Sequence, residues 1–294
     1  MDFDTRMSQA WTDHADDSPA VAVQLPELAA LATTEPQLER VIGLAMHVHG
    51  VHLADWAGGR ATLTALQRHA AYRDDSASGQ SVRRGLATLA LSADASAEPT
   101  GLSASDTVRV HAMASENLLD HDAARSGALF HQALALAERS GLLDTDAMHR
   151  TLGVTANSLA CTLEEKPDRT ADERALMIRA AHAARHHWER AGTWLNVERA
   201  EYRLAMTWLQ AGDLAQARTH AQNCLEIVEA NNGAALEQLF GWEALGLVER
   251  AAGNGVGHAH ALAKARQAFD ALEPADQGWC RESVEKLAAA PVNA

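Results

Sequence analysis

The chain has 294 residues, 47% hydrophobic and 22% charged, a balance that excludes disorder throughout and places it among globular proteins. Acidic residues outnumber basic ones by 39 to 25 for a net charge of −14, with no basic arm or stripe, which argues against a nucleic-acid partner. Cys161, Cys224 and Cys280 make no C-x-x-C pair, no apolar run approaches the roughly 18 residues of a membrane span, and the N-terminal stretch is acidic. The expectation is a cytoplasmic protein without export, membrane contact or a disulfide framework.

Alanine and leucine are frequent, aromatic residues make up 4%, and glycine and proline fall between periodic segments, so the chain reads as all-α. In chain order, residues 1–22 are expected to form a mobile tail. Residues 23–101 read as degenerate repeats. A helix opens at Thr34-Glu35-Pro36 and runs to Trp56, Gly58-Gly59 turns it, and further helices cover Arg60 to Tyr72 and Gln80 to Leu91. Ser92 to Gly101 is the most linker-like stretch and reads as a loop within one continuous array.

Residues 102–275 carry clearer repeats. His121-Asp122 marks a turn before Phe130-x-x-Ala133-Leu134. A helix then ends near Leu163, Glu164 to Arg169 makes a longer turn, and Thr170-x-x-Glu173 is a capping box for the next helix. From Trp194, the residues Val197, Ala200, Leu204 and Trp208 stripe one helical face until Gly212-Asp213 breaks it. Leu214, Ala217, Ala221, Cys224, Leu225 and Val228 stripe the following helix, which ends at Asn231-Asn232-Gly233. Leu245-Gly246 and Gly253-Asn254 repeat the pattern 41 residues on, and residues 276–294 are expected to cap the stack.

These residues resemble the tetratricopeptide repeat family. Trp242-Glu243-Ala244-Leu245-Gly246 is similar to its first-helix start, the segment from Ala211-Gly212-Asp213 to Cys224-Leu225 to its turn and second helix, and Phe130-His131-Gln132-Ala133-Leu134 to that same helix one unit earlier. The resemblance covers about residues 103 to 272, with a period of roughly 41–45 where the family's unit is about 34. It implies antiparallel helix hairpins stacked as a right-handed superhelical solenoid over residues 23–294. It also implies a concave groove, lined by the first helix of each pair, that holds a peptide or a helix of a partner. The lysine, asparagine and arginine clamp of the family's best-known peptide binders is not recognisable, because Lys166, Lys264 and Lys286 fall off the predicted groove face.

Projection opposite the core stripes puts Arg199, Tyr202, Met206 and Leu209 on the groove in one unit, and Phe240, Glu243, Leu247 and Arg250 in the next, with His111, Ser115 and Asn157 continuing it. Arginine and tyrosine are the residue types that anchor interfaces. Fifteen histidines raise metal ligation as a competing chemistry. His182 and His186 lie one turn apart with Glu189 nearby. His49, His52 and Asp55 share a helical face that His47 does not, and His258 and His260 flank a glycine-rich turn. The leading expectation is a non-enzymatic scaffold or adaptor that binds a protein or peptide partner, without cofactor or metal and with self-association through its end helices left open. The alternatives are a ligand- or peptide-sensing regulator and, third, a metal-dependent enzyme using His182 and His186.

Overall fold

Short-range capping chemistry starts most of the helices. In the computed structural model, which describes residues 2–289, Asp122, Thr170, Asp213 and Asn254 each accept a backbone N–H from three residues ahead, satisfying a donor that the first helical turn leaves free. Fourteen α-helices follow one another among the described residues, with no strand between them. The first five are α1 (Phe3–Asp13), α2 (Ser18–Leu31), α3 (Glu35–His47), α4 (Trp56–Leu66) and α5 (Ala77–Ala93). The middle of the chain forms α6 (Ala104–Leu118), α7 (Ala123–Ser140), α8 (Ala147–Glu165), α9 (Ala171–Ala191) and α10 (Trp194–Ala211). Then come α11 (Leu214–Ala230), α12 (Ala235–Ala251), α13 (Gly255–Asp270) and α14 (Pro274–Ala288). No helix of the described residues is long and apolar enough to cross a membrane.

Neighbouring helices pair, most closely α6 with α7, α10 with α11 and α12 with α13. The α10–α11 turn shows how a hairpin is made. Gly212 sits at φ +79°, a left-handed conformation that a Cβ disfavours, so the chain reverses in one residue and Asp213 caps α11 at once. Leu204, Ala217, Ala221 and Cys224 of the expected stripes are buried between such helices.

The period read from sequence is realised as a ladder of side-chain hydrogen bonds between corresponding helices. Ser76 bonds Glu35 across 41 residues, Ser105 bonds Asp146 across 41 and Arg109 bonds Thr151 across 42. Further on, Arg203 bonds Glu164 across 39, Tyr202 bonds Glu243 across 41 and Arg199 bonds Glu237 across 38. Repeating units of similar length place equivalent surfaces side by side, so polar groups recur as partners at the repeat distance.

The chain divides into two compact units, residues 1–151 and 152–294. The division falls inside α8, whereas the linker-like residues 94–101 join α5 to α6 within the first unit. The first unit has a core that includes Met7, Leu25, Leu28, Leu38, Ile42, Leu63 and Leu89. In the second, Leu239, Ala265, Ala268, Leu272, Cys280 and Leu287 gather where α14 packs on α12 and α13. The expected final helix is thus present, and residues 290–294 of that expectation lie outside the described residues.

Three expectations for the N-terminal third are corrected. The mobile tail expected over residues 1–22 is overturned for the described residues 2–22: Asp2 accepts the Thr5 N–H at 2.9 Å to cap α1, and Phe3, Met7 and Ala10, at i, i+4 and i+7, are buried in the first core. The helix expected to reach Trp56 stops at His47 and passes into a single π-helical turn, Val48–His52, in which the Leu53 N–H bonds the Val48 carbonyl at 3.0 Å. Gly50 lets α6 approach this turn, because a Cβ there would stand 2.6 Å from Asn117 Oδ1. The turn expected at Gly58-Gly59 is instead the first turn of α4, capped by Asp55, whose side chain accepts the Gly58 N–H at 2.9 Å.

Candidate binding site

Residues 198, 199, 202 and 203 recur at i, i+1, i+4 and i+5 and so project from one face of α10. With Asn157 of α8, Leu236, Glu237 and Phe240 of α12, and Trp279 of α14, they line a cleft of about 440 Å³ in the second unit. One wall is aromatic. Phe240 and Trp279 stack with ring centroids 5.5 Å apart, and Tyr202 meets Phe240 edge-on at 5.8 Å. Trp279 is 58% exposed, an unusual state for a tryptophan that already has a stacking partner.

The opposite side is charged and largely buried. Glu164 accepts hydrogen bonds from Arg203 and from the Thr207 hydroxyl, which join α8 to α10. Burial lifts the Glu164 carboxyl above its usual range despite these donors. Burial alone would lower Arg203, but Glu164 beside it keeps the guanidinium firmly charged. Glu198 is 1% exposed and its carboxyl is also pushed up by burial, offset in part by the Cys224 thiol, which donates to Oε1 at 3.0 Å. Two atoms in this group lack hydrogen-bond partners among the described residues: Glu198 Oε2, an acceptor, and Arg203 Nε, a donor. Buried polar atoms are nearly always paired, so two such atoms on residues of α10 are unusual.

Four of the residues projected onto the groove, Asn157, Arg199, Tyr202 and Phe240, line this cleft. Glu243 lies beneath it, accepting the Tyr202 hydroxyl at 3.3 Å. The others are elsewhere. Met206 packs on the small cluster of Ala205, Ala221 and Ala244. Arg250 donates to the carbonyl oxygens of Lys286 at 2.7 Å and Ala289 at 3.1 Å, holding the end of α14. His111 belongs to the first unit, buried, with its Nδ1 donating to the Thr107 carbonyl at 2.8 Å. Sequence projection missed Glu198, Arg203, Leu236, Glu237 and Trp279. The i, i+4 relation of Glu198 to Tyr202 was available as a signal, but Trp279 sits on the terminal helix, whose docking no local pattern encodes.

A larger cleft, about 740 Å³, runs along α11, α12 and α13 past Trp242 and Lys264, but its carboxylates Glu226 and Glu229 are exposed and solvated. His182 of the proposed helical pair has the rings of Trp208 and His220 at 5.8 and 5.9 Å, while Arg190 Nη1 stands 3.2 Å from His186 Nδ1 and Glu189 pairs with Arg185. A guanidinium against one imidazole opposes a cation there. His258 Nδ1 donates to the Gly246 carbonyl and His260 packs edge-on against Trp242. His49 is buried near Asp55 and the Thr62 hydroxyl. No family model matches this chain, and neither a curated protein nor a solved structure does. The resemblance to tetratricopeptide repeats therefore stands on the recurring residues alone.

Proposed function

We propose that this chain is a non-enzymatic, tetratricopeptide-like scaffold or adaptor whose second unit takes a peptide segment of a protein partner in the cleft formed by α8, α10, α12 and α14. The observation that carries the reading is the exposed Trp279, stacked on Phe240 in a cleft that Arg199 and Tyr202 also line. An apolar or aromatic side chain of a bound peptide would cover the exposed tryptophan. Tryptophan, tyrosine and arginine, all present here, are the types that dominate binding energy at interfaces. The cleft volume also lies in the range of about 300–1,000 Å³ for small-molecule sites, which favours a free amide or zwitterionic ligand as the second reading.

Selection of a displayed random peptide library on the purified chain tests this. Enriched peptides should bind with an affinity that Trp279→Ala lowers by at least about tenfold, the scale of an anchor residue, while helicity by circular dichroism stays unchanged. Failure to enrich any peptide, or an affinity indifferent to Trp279, would overturn the peptide reading. Thermal stabilisation of the wild type by a small amide or zwitterion, lost in the variant, would transfer the site to the second reading.

A further inference from the structure

The first unit brings three histidines from two places in the chain to one point. His14 follows the last residue of α1, His47 ends α3, and His52 ends the π-helical turn. In a regular α-helix, residues five apart point roughly 140° away from each other. The wider π-helical turn brings them back over one another, and His47 Nε2 lies 3.1 Å from His52 Nε2. The His14 ring centroid is 4.9 Å from that of His47 and 5.0 Å from that of His52, and one ring nitrogen from each of the three lies within 4.8 Å of the other two.

We propose that His14, His47 and His52 form a three-histidine site for a divalent transition metal of the zinc type, with a fourth coordination position open to water or a small ligand. Tetrahedral zinc, with Zn–N near 2.0–2.1 Å, sets its nitrogens about 3.3 Å apart, so the His47–His52 pair already has the required separation. His14 Nδ1 donates to the Trp11 carbonyl at 2.5 Å, which leaves the Nε2 lone pair free, the outer-shell arrangement that orients metal-binding imidazoles. Asp120 is near enough to act on His52 and to balance cationic charge. Trp11 covers one side, with its ring 5.1 Å from His14 and 5.4 Å from His47, and His52 is exposed, which leaves solvent access for the fourth position. Imidazole nitrogen favours zinc, copper, nickel or iron over magnesium and calcium.

The test uses the tag-free full-length chain, treated with chelator and then titrated calorimetrically with zinc chloride and, separately, followed by visible absorption with cobalt(II). One saturable equivalent of zinc and a tetrahedral cobalt spectrum are expected. His14→Ala and His52→Ala should each weaken zinc binding by at least about tenfold, while His182→Ala/His186→Ala leaves it intact. Zinc should also raise the Tm of the wild type but not that of His52→Ala, whose exposed side chain can be removed without opening the core. Absence of a single saturable equivalent, or zinc affinity that survives both His14→Ala and His52→Ala, would overturn the site.

Discussion

The Tyr202 hydroxyl donates to Glu243 Oε2 at 3.3 Å, a contact between residues 41 positions apart that joins α10 to α12 at the repeat distance of the chain. Tyr202 also meets Phe240 edge-on, so one side chain serves both the packing of adjacent repeats and the wall of the cleft. Tyr202→Phe removes the donor and keeps the ring. Urea unfolding should show a loss of about 1–2 kcal/mol, with helicity unchanged.

Arg203, Glu164 and Thr207 form a buried group linking α8 to α10. Arg203→Met leaves a desolvated carboxylate without its cation and should cost about 3–5 kcal/mol. Arg203→Met combined with Glu164→Gln removes the charge as well, so the double variant should recover much of that loss. Denaturant midpoints of the two single variants and the double variant check the coupling.

Glu201 behaves differently from its buried neighbours. Burial alone would raise its pKa, but hydrogen bonds from His220 at 2.7 Å and Arg185 at 2.6 Å hold it below the ordinary 4.5. A depressed carboxylate contributes stability that is present above the unfolded value and is lost as pH falls through the folded value. The wild type should therefore weaken on acidification below pH 4.5, and Glu201→Gln, less stable at neutrality by about 1–3 kcal/mol, should lack that part of the decline. Thermal melts between pH 3 and pH 7, a range set to bracket ordinary carboxylates near 4, measure both.

Glu198 carries the opposite sign. Its carboxyl is raised by burial, so the folded state holds a proton that the unfolded state releases, and stability declines as pH rises from 4.5 through the folded value. Glu198→Gln should abolish that decline and stabilise the protein at pH 7 by about 1 kcal/mol, which urea unfolding at pH 4.5 and at pH 7 measures.

Helix starts and hairpin turns were legible because their chemistry is local. Thr170 and Glu173, or Gly212 and Asp213, act within one turn of the backbone, and buried stripes such as Leu204 and Ala217 follow the helical period. The repeat distance was legible for a related reason, since each unit reuses the same local signals. Helix α1 was not legible because its apolar stripe is short and is buried only once α2 and α3 pack against it. Four of the eleven projected groove residues line the cleft. Arg250 does not, because a helix face only states which side is free, and α14 then covers it.

What the sequence alone determined was therefore the all-helical class, the caps, and the 41-residue recurrence. Tertiary structure decided which polar atoms were left without partners and which distant side chains converged. Glu198 and Arg203 become orphans only once α8, α10 and α12 are packed. His14, His47 and His52 converge only because a π-helical turn replaces the regular helix assumed for residues 48–52. The physical reason is range: hydrogen bonds within a turn are set by neighbours in the chain, whereas desolvation and convergence depend on every element packed around the group.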